Sequence, residues 1–187
     1  MPRFEFLPTP LDGLSIVERR LMEDRRGFLS RCYCVEEFAA AGVQKPVAQI
    51  NHTLTKRRGT VRGLHFQWPP HGEIKLVSCL RGEVFDVAVD LRRNSPTFLQ
   101  WHGEMLSAAI PRSLLIPEGF AHGFQALSDD CEIVYVVTAA YQPSAEGAVS
   151  ATDPRVDIRW PLPITELSTR DRSHPDMSPD FAGIEVP

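Results

Sequence analysis

No apolar run in this 187-residue sequence is long enough to span a bilayer. No charged-then-apolar leader pattern stands at the N-terminus, so the chain is expected to work in the cytoplasm and away from membranes. There is no basic excess. Lys and Arg number 20 against 24 Asp and Glu, a net charge of -4, which argues against a nucleic-acid partner. Cysteine is scarce, and the four present (Cys32, Cys34, Cys79, Cys131) lack the paired spacing of a zinc site. They are expected to be reduced and mostly packing residues. No internal repeat or low-complexity segment is visible. Helical pattern is also rare: Val35 to Gly42 is the one clear stretch, rich in helix formers and stopped by the glycine.

Proline and glycine are plentiful, at 16 and 12, and they punctuate many short elements. Strands are expected at Leu14–Glu18, Leu29–Cys34, Val47–Leu54, Gly59–Gln67, Ile74–Leu80, Glu83–Leu91, Gln100–Leu106, Ser113–Ile116, Gly123–Leu127 and Glu132–Val137. Residues 1–22 otherwise read as a lead-in segment. Asp24 to Phe28 and Lys56 to Gly59 read as charged turns, and Trp68 to Gly72, with two prolines, as a loop. The tail from Pro161 reads as a surface wrap with at most a short helix. Turn signals at this spacing, with one early short helix and an irregular C-terminal tail, predict an all-β chain: a single 1–187 domain folded as a jelly-roll β-sandwich. Such a fold can hold a pocket between its sheets.

Two stretches carry chemistry. Gly59 to Gln67 (GTVRGLHFQ) places Arg62, Gly63 and His65 within four residues. On a strand, alternation puts Val61, Gly63, His65 and Gln67 on one face and Arg62, Leu64 and Phe66 on the other. Gly63 then clears space beside an imidazole that can titrate near neutral pH. The ordinary role of such a histidine is a buried one satisfied by a single hydrogen bond. The second stretch is Ile116 to Phe124 (IPEGFAHGF), where Pro117 and Gly119 set a turn and His122 follows. This P-x-G-x-x-H string resembles the second motif of the cupin superfamily. The first cupin motif normally supplies His-x-His and then Glu to a metal, whereas the corresponding region here gives His65-Phe66-Gln67, then His71 and Glu73. A metal-dependent enzyme using His65, His71, Glu73 and His122 is therefore one reading, but the usual first pair is missing and no metal or other cofactor is expected.

A closer likeness runs from about Gly13 to Asp171. Arg62 to Gln67, Lys75-Leu-Val77, Gly82 to Arg92, Ser95-Pro-Thr97, Ile116 to Phe124, Tyr141-x-Pro143-x-x-Glu146 and Trp160-Pro161 together resemble the nucleotide-sugar 3,5-epimerases of the dTDP-4-dehydrorhamnose pathway. The resemblance implies a metal-free jelly roll, usually a homodimer, acting on a nucleoside-diphosphate 4-keto-6-deoxy sugar. Carbons 3 and 5 flank the ketone and carry the acidic protons. By the same resemblance His65 is the base and Asp171 the carboxylate that orients it. Lys75 stands near a developing enolate, and Tyr135 is the acid on the opposite face, a phenol that stays protonated at neutral pH. Arg26, Gln49, Asn51, Arg62, His122, Tyr141, Glu146 and Arg170 match positions that contact nucleotide, diphosphate or sugar. The planar fork of arginine suits a diphosphate. The N-terminal region, Arg26 included, is implied to reach into the neighbouring subunit's pocket. Arg31 stands where the family pattern has a ligand-contacting glutamate, a reversal of charge that bears on which base or sugar is accepted. Glu73 stands where many members have a small residue or Gln-Ala and is given no role. Without the resemblance, Lys75 reads as a strand charge, Tyr135 as a packing aromatic, Asp171 as a solvated tail residue and His122 as a turn residue. Single-carbon epimerisation of a related dTDP- or CDP-4-ketosugar is the nearest alternative; a non-catalytic sugar-nucleotide binding protein is the third.

Overall fold

Short runs of Val, Ile, Phe and Leu, each closed by glycine, proline or a polar turn, form thirteen strands and two short α-helices within residues 2–186, the part of the chain described by the structure, a computed structural model. Two antiparallel sheets face one another. The first has six strands in the order β1 (Phe4–Pro8), β2 (Ser15–Arg19), β10 (Arg112–Ile116), β7 (Lys75–Arg81), β12 (Cys131–Val137) and β5 (Gln49–Thr55). The second has five, in the order β13 (Glu146–Ala148), β6 (Val61–Gln67), β11 (Phe120–Ala126), β8 (Glu83–Asp90) and β9 (Trp101–Ser107). A separate hairpin joins β3 (Leu21–Asp24) to β4 (Gly27–Ser30). This is the β-sandwich that the turn spacing predicts.

Alternation sorts each strand's side chains between an inner and an outer face. Inner-face Val77, Leu114 and Ile133 of the six-stranded sheet pack against Val84, Ala88, Phe120 and Phe124 of the five-stranded one. The outer face of the five-stranded sheet presents Leu64, Phe66, Val87 and Val89, and the C-terminal segment covers it with Val156, Ile184, Trp160 and Phe181. α1 (Val35–Ala40) covers part of the outer face of the six-stranded sheet, around Leu76 and Leu115. Glu36 and Glu37 in its first turn complement the helix dipole. Phe38 is its fully buried anchor, packed edge-on against Phe4 at 5.0 Å. Burying one such ring contributes about 1.5–3 kcal/mol.

Three expectations need correction. The strand expected at Leu29–Cys34 is Gly27–Ser30, because its only partner, β3, runs out where Leu21 meets Ser30. The strand expected from Gly123 begins at Phe120, so His122 lies on a strand and not in a turn. The lead-in segment holds β1, paired to β2 from Phe4↔Arg19 to Pro8↔Ser15.

Candidate active site

The site begins with a break in alternation. His65 of β6 is in register with His122 of β11, yet Arg62 is in register with Phe124, so β6 takes three steps where β11 takes two. A β-bulge of this kind re-aims side chains. It turns Arg62 onto the same inner face as His65, where strict alternation had placed them on opposite faces. Gly63 makes the bulge possible: its φ is +116°, and a Cβ there would lie 2.6 Å from the Gly123 Cα and 2.7 Å from the His122 carbonyl oxygen. Only glycine tolerates both the dihedral and the approach. Arg62 reaches across the sandwich to β5, donating to the Thr55 hydroxyl at 2.9 Å and the Leu54 carbonyl at 3.2 Å.

His65 Nε2 lies 2.7 Å from Asp171 Oδ1. Asp171 is delivered by α2 (Thr169–Ser173), a single turn in the C-terminal segment whose N-cap Ser168 accepts the Asp171 N–H at 3.0 Å. Burial pushes the Asp171 carboxyl upward, but hydrogen bonds from His65 and from the Gly63 N–H outweigh it and hold the group below the usual carboxylate range. An ionised Asp171 accepts, so a neutral His65 donates from Nε2 and keeps its lone pair on Nδ1.

The six-stranded sheet supplies the opposite wall. Lys75, at the start of β7, faces inward as its alternation with Leu76 predicts, and its ammonium donates to the His65 carbonyl at 3.2 Å. It also pairs with Glu73 at 3.1 Å, both side chains being almost buried. Tyr135 on β12 shares the inner face with Cys131 and Ile133, and burial raises its phenol above the ordinary value. Two adjoining cavities, of about 480 and 440 Å³, share His65, Lys75, Tyr135 and Arg170. Arg62, His122 and Asp171 line the first. Gln49, Asn51, Tyr141 and Glu146 line the second. There the Gln49 amide donates to Asn51 Oδ1 at 2.8 Å, the Tyr141 hydroxyl to Glu146 at 3.1 Å, and Arg170 to Glu146 at 3.0 Å.

Two of the anticipated binding residues stand apart. Arg26, at the tip of the β3–β4 hairpin, pairs with Asp24 at 2.5 Å, and Arg31 pairs with Glu37 at 3.2 Å; neither lines either of these two cavities. The metal set His65, His71, Glu73 and His122 does not converge: Glu73 is held by Lys75 and His122 by Asp86. Among the described residues, the one group of three whose ligand atoms lie within 4.8 Å of one another is His65, Asp171 and His174.

Three neighbours of the site are given no epimerase role by the sequence. Glu73 lines the second cavity. Asp86, fully buried on β8, lies 2.8 Å from His122 Nε2. His174, just past α2, stands edge-on to His65 with ring centres 6.3 Å apart. A signal existed for Asp86: a carboxylate on an inner-face position between Val84 and Ala88 demands a partner.

Residues 8–179 match the family model described as dTDP-4-dehydrorhamnose 3,5-epimerase. A curated dTDP-4-dehydrorhamnose 3,5-epimerase from Methanothermobacter thermautotrophicus is 42% identical over 177 residues, covering 92% of this chain and 94% of that protein. A dTDP-4-dehydrorhamnose 3-epimerase from Streptomyces niveus is 39% identical over 166 residues, covering 88% and 80%. Among solved structures, dTDP-6-deoxy-D-glucose-3,5-epimerase from Legionella pneumophila Philadelphia 1, in complex with dTDP-4-keto-L-rhamnose, superposes with a TM-score of 0.86 at 39% identity, over 90% of each chain.

Proposed function

The chain belongs to the dTDP-4-dehydrorhamnose 3,5-epimerase family, and on that premise we propose that it inverts carbons 3 and 5 of dTDP-4-dehydro-6-deoxy-D-glucose to give dTDP-4-dehydro-L-rhamnose. It is an isomerase. Each inversion removes a proton from a carbon beside the ketone, moves charge to the ketone oxygen as an enolate, and returns a proton to the other face. The observation that carries this reading is the placement of His65 and Tyr135 on opposite walls of shared cavities. His65 Nδ1 takes the proton, and Asp171 holds the ring and stabilises the imidazolium. The Lys75 ammonium offsets the enolate charge. Tyr135, kept protonated by burial, donates from the six-stranded side. Arg62, His122, Gln49, Asn51, Tyr141, Glu146 and Arg170 bind sugar, diphosphate and base.

Proton NMR of the substrate in D₂O tests this directly. Deuterium at carbons 3 and 5, with a reductase trapping the L-sugar, is the expected result, and an absence of deuterium at both would reject the reading. Deuterium at one carbon would favour the second reading, a 3- or 5-epimerase on a related dTDP- or CDP-4-ketosugar. The Streptomyces niveus relative and Arg31 support that alternative.

The working unit is one domain and a homodimer in the cytoplasm, with the β3–β4 hairpin extending Arg26 into the neighbouring site. Support comes from that hairpin: Phe28 and Leu29 are each 65% exposed, apolar surface suited to a partner. Among the described residues no helix is long and apolar enough to cross a membrane. Sedimentation at micromolar concentration tests the dimer, and a monomer would remove it.

A further inference from the structure

His174 has no part in the chemistry above, yet its position is specific. The chain leaves α2 in extended conformation at His174, the residue before Pro175. Its ring stands edge-on to that of His65. Its Nε2 is buried and has no hydrogen-bond partner among the described residues. A buried imidazole nitrogen without a partner is costly, and the ring that carries it stands beside the His65–Asp171 pair. The three residues present two imidazole nitrogens and one carboxylate oxygen, all within 4.8 Å of one another. Within the trio, His65 Nε2 and Asp171 Oδ1 are 2.7 Å apart.

We infer that His65, Asp171 and His174 form an inhibitory site for a borderline divalent transition-metal ion, with Zn²⁺ as the representative. Two imidazoles and a carboxylate suit zinc, cobalt or nickel and not the oxygen-seeking magnesium or calcium. Metal–ligand bonds of about 2.0–2.2 Å allow donor atoms up to about 4 Å apart, so a side-chain adjustment of roughly 1 Å by His174 closes the set. Asp171 is fixed by the capped turn. The fourth position opens toward the cavity that His65 and Asp171 line.

Occupancy of this site and proton abstraction are mutually exclusive. A metal on His65 Nε2 displaces the hydrogen bond to Asp171, and the ring proton moves from Nε2 to Nδ1. The nitrogen proposed to take the substrate's proton then has no lone pair. One charge opposes the cation: Arg170 Nη2 lies 3.4 Å from His65 Nε2. Its guanidinium is half-exposed and doubly bonded to Glu146, so it can withdraw along that carboxylate.

The inhibition rests on the proposed epimerase chemistry, but the binding does not. The experiment therefore reads binding first. Calorimetry with ZnCl₂ on the full chain is expected to show one ion per chain. Affinity should fall about 100-fold in His174→Ala and in His174→Asn, while the epimerisation rate in metal-free buffer stays at the wild-type value. Zn²⁺ should inhibit the wild type, and the variants should resist to the same factor. Co²⁺ should give the intense visible bands of a four- or five-coordinate nitrogen-ligated centre, absent from both variants. Failure to bind Zn²⁺, or binding that neither substitution weakens, would overturn the site. Two variants guard against one that does not fold, with circular dichroism as the check. A chain that binds Zn²⁺ through His174 but gives no deuterium exchange would sink the epimerase reading and leave the metal site standing.

Discussion

Two histidine–aspartate pairs lie side by side on the inner wall of the five-stranded sheet, and the fold treats them differently. His65 and His122 are in register on adjacent strands, each with a carboxylate oxygen at 2.7 or 2.8 Å. The His65 side chain keeps 26% of its surface exposed and borders both cavities, whereas that of His122 keeps 9% and borders one. Their carboxylates come from different places. Asp171 rides on a capped turn of the C-terminal segment, and Asp86 is built into β8 with its second oxygen unpartnered. Equal geometry therefore does not mean equal work. An imidazole with one face on open space and a carboxylate held ionised can cycle its proton. An imidazole locked over a buried aspartate is placed to satisfy that carboxylate.

The largest effect should come from the exposed pair. His65→Ala is expected to cut exchange at carbons 3 and 5 by about 10²- to 10⁴-fold, the usual contribution of a general base, with dTDP binding nearly intact by calorimetry. Substantial remaining exchange would remove His65 as the base.

The buried pair should behave the other way round. His122→Ala leaves Asp86 fully buried without its partner, a loss of about 3–5 kcal/mol in folding free energy. Urea denaturation measures it. A midpoint within error of the wild type would mean that His122 does not hold Asp86, and the contrast between the pairs would fail.

Much of this was legible in the residues, and the illegible part has physical causes. The inward set on β12 and the inward Lys75 follow from a two-residue period. The role of Arg62 does not, because the bulge at Gly63 depends on a second glycine, Gly123, sixty residues away in another strand. β13 is three residues around Gly147, and its pairing is dictated by β6 rather than by its own propensity. β1 was hidden by prolines on either side of a short apolar alternation. His174 belongs to no motif and Glu73 entered only as a candidate metal ligand; the fold sets Glu73 beside Lys75 and His174 beside His65 and Asp171. Arg26 and Arg31 lie outside the two cavities that His65 borders.

A smaller effect separates the two walls of the cavity. Tyr135→Phe removes one hydroxyl from a half-buried ring and leaves the base in place. Inversion should fall about tenfold or more relative to deprotonation, since general-acid contributions start near that scale. Deuterium should then enter with configuration retained, which NMR resolves from inversion. Equal loss of exchange and inversion would make Tyr135 a positioning residue and leave the six-stranded wall without an acid.

The smallest effect tests the comparison at its root, through the charge on Asp171. Its folded value lies below the unfolded reference of about 3.9. Between the two values the unfolded chain binds more protons, so unfolding free energy rises with pH there. The stabilisation is fully present above the unfolded value and is lost as pH falls through the folded one. Wild-type stability should thus drop more steeply than that of Asp171→Asn below about pH 4, by no more than about 1.4 kcal/mol per pH unit for one proton. Chemical denaturation at several pH values gives the two slopes. Because every other carboxylate titrates in both proteins, the difference isolates Asp171. Parallel slopes would mean that His65 does not hold its carboxylate in the charged form, and the two histidine–aspartate pairs would then differ in exposure alone.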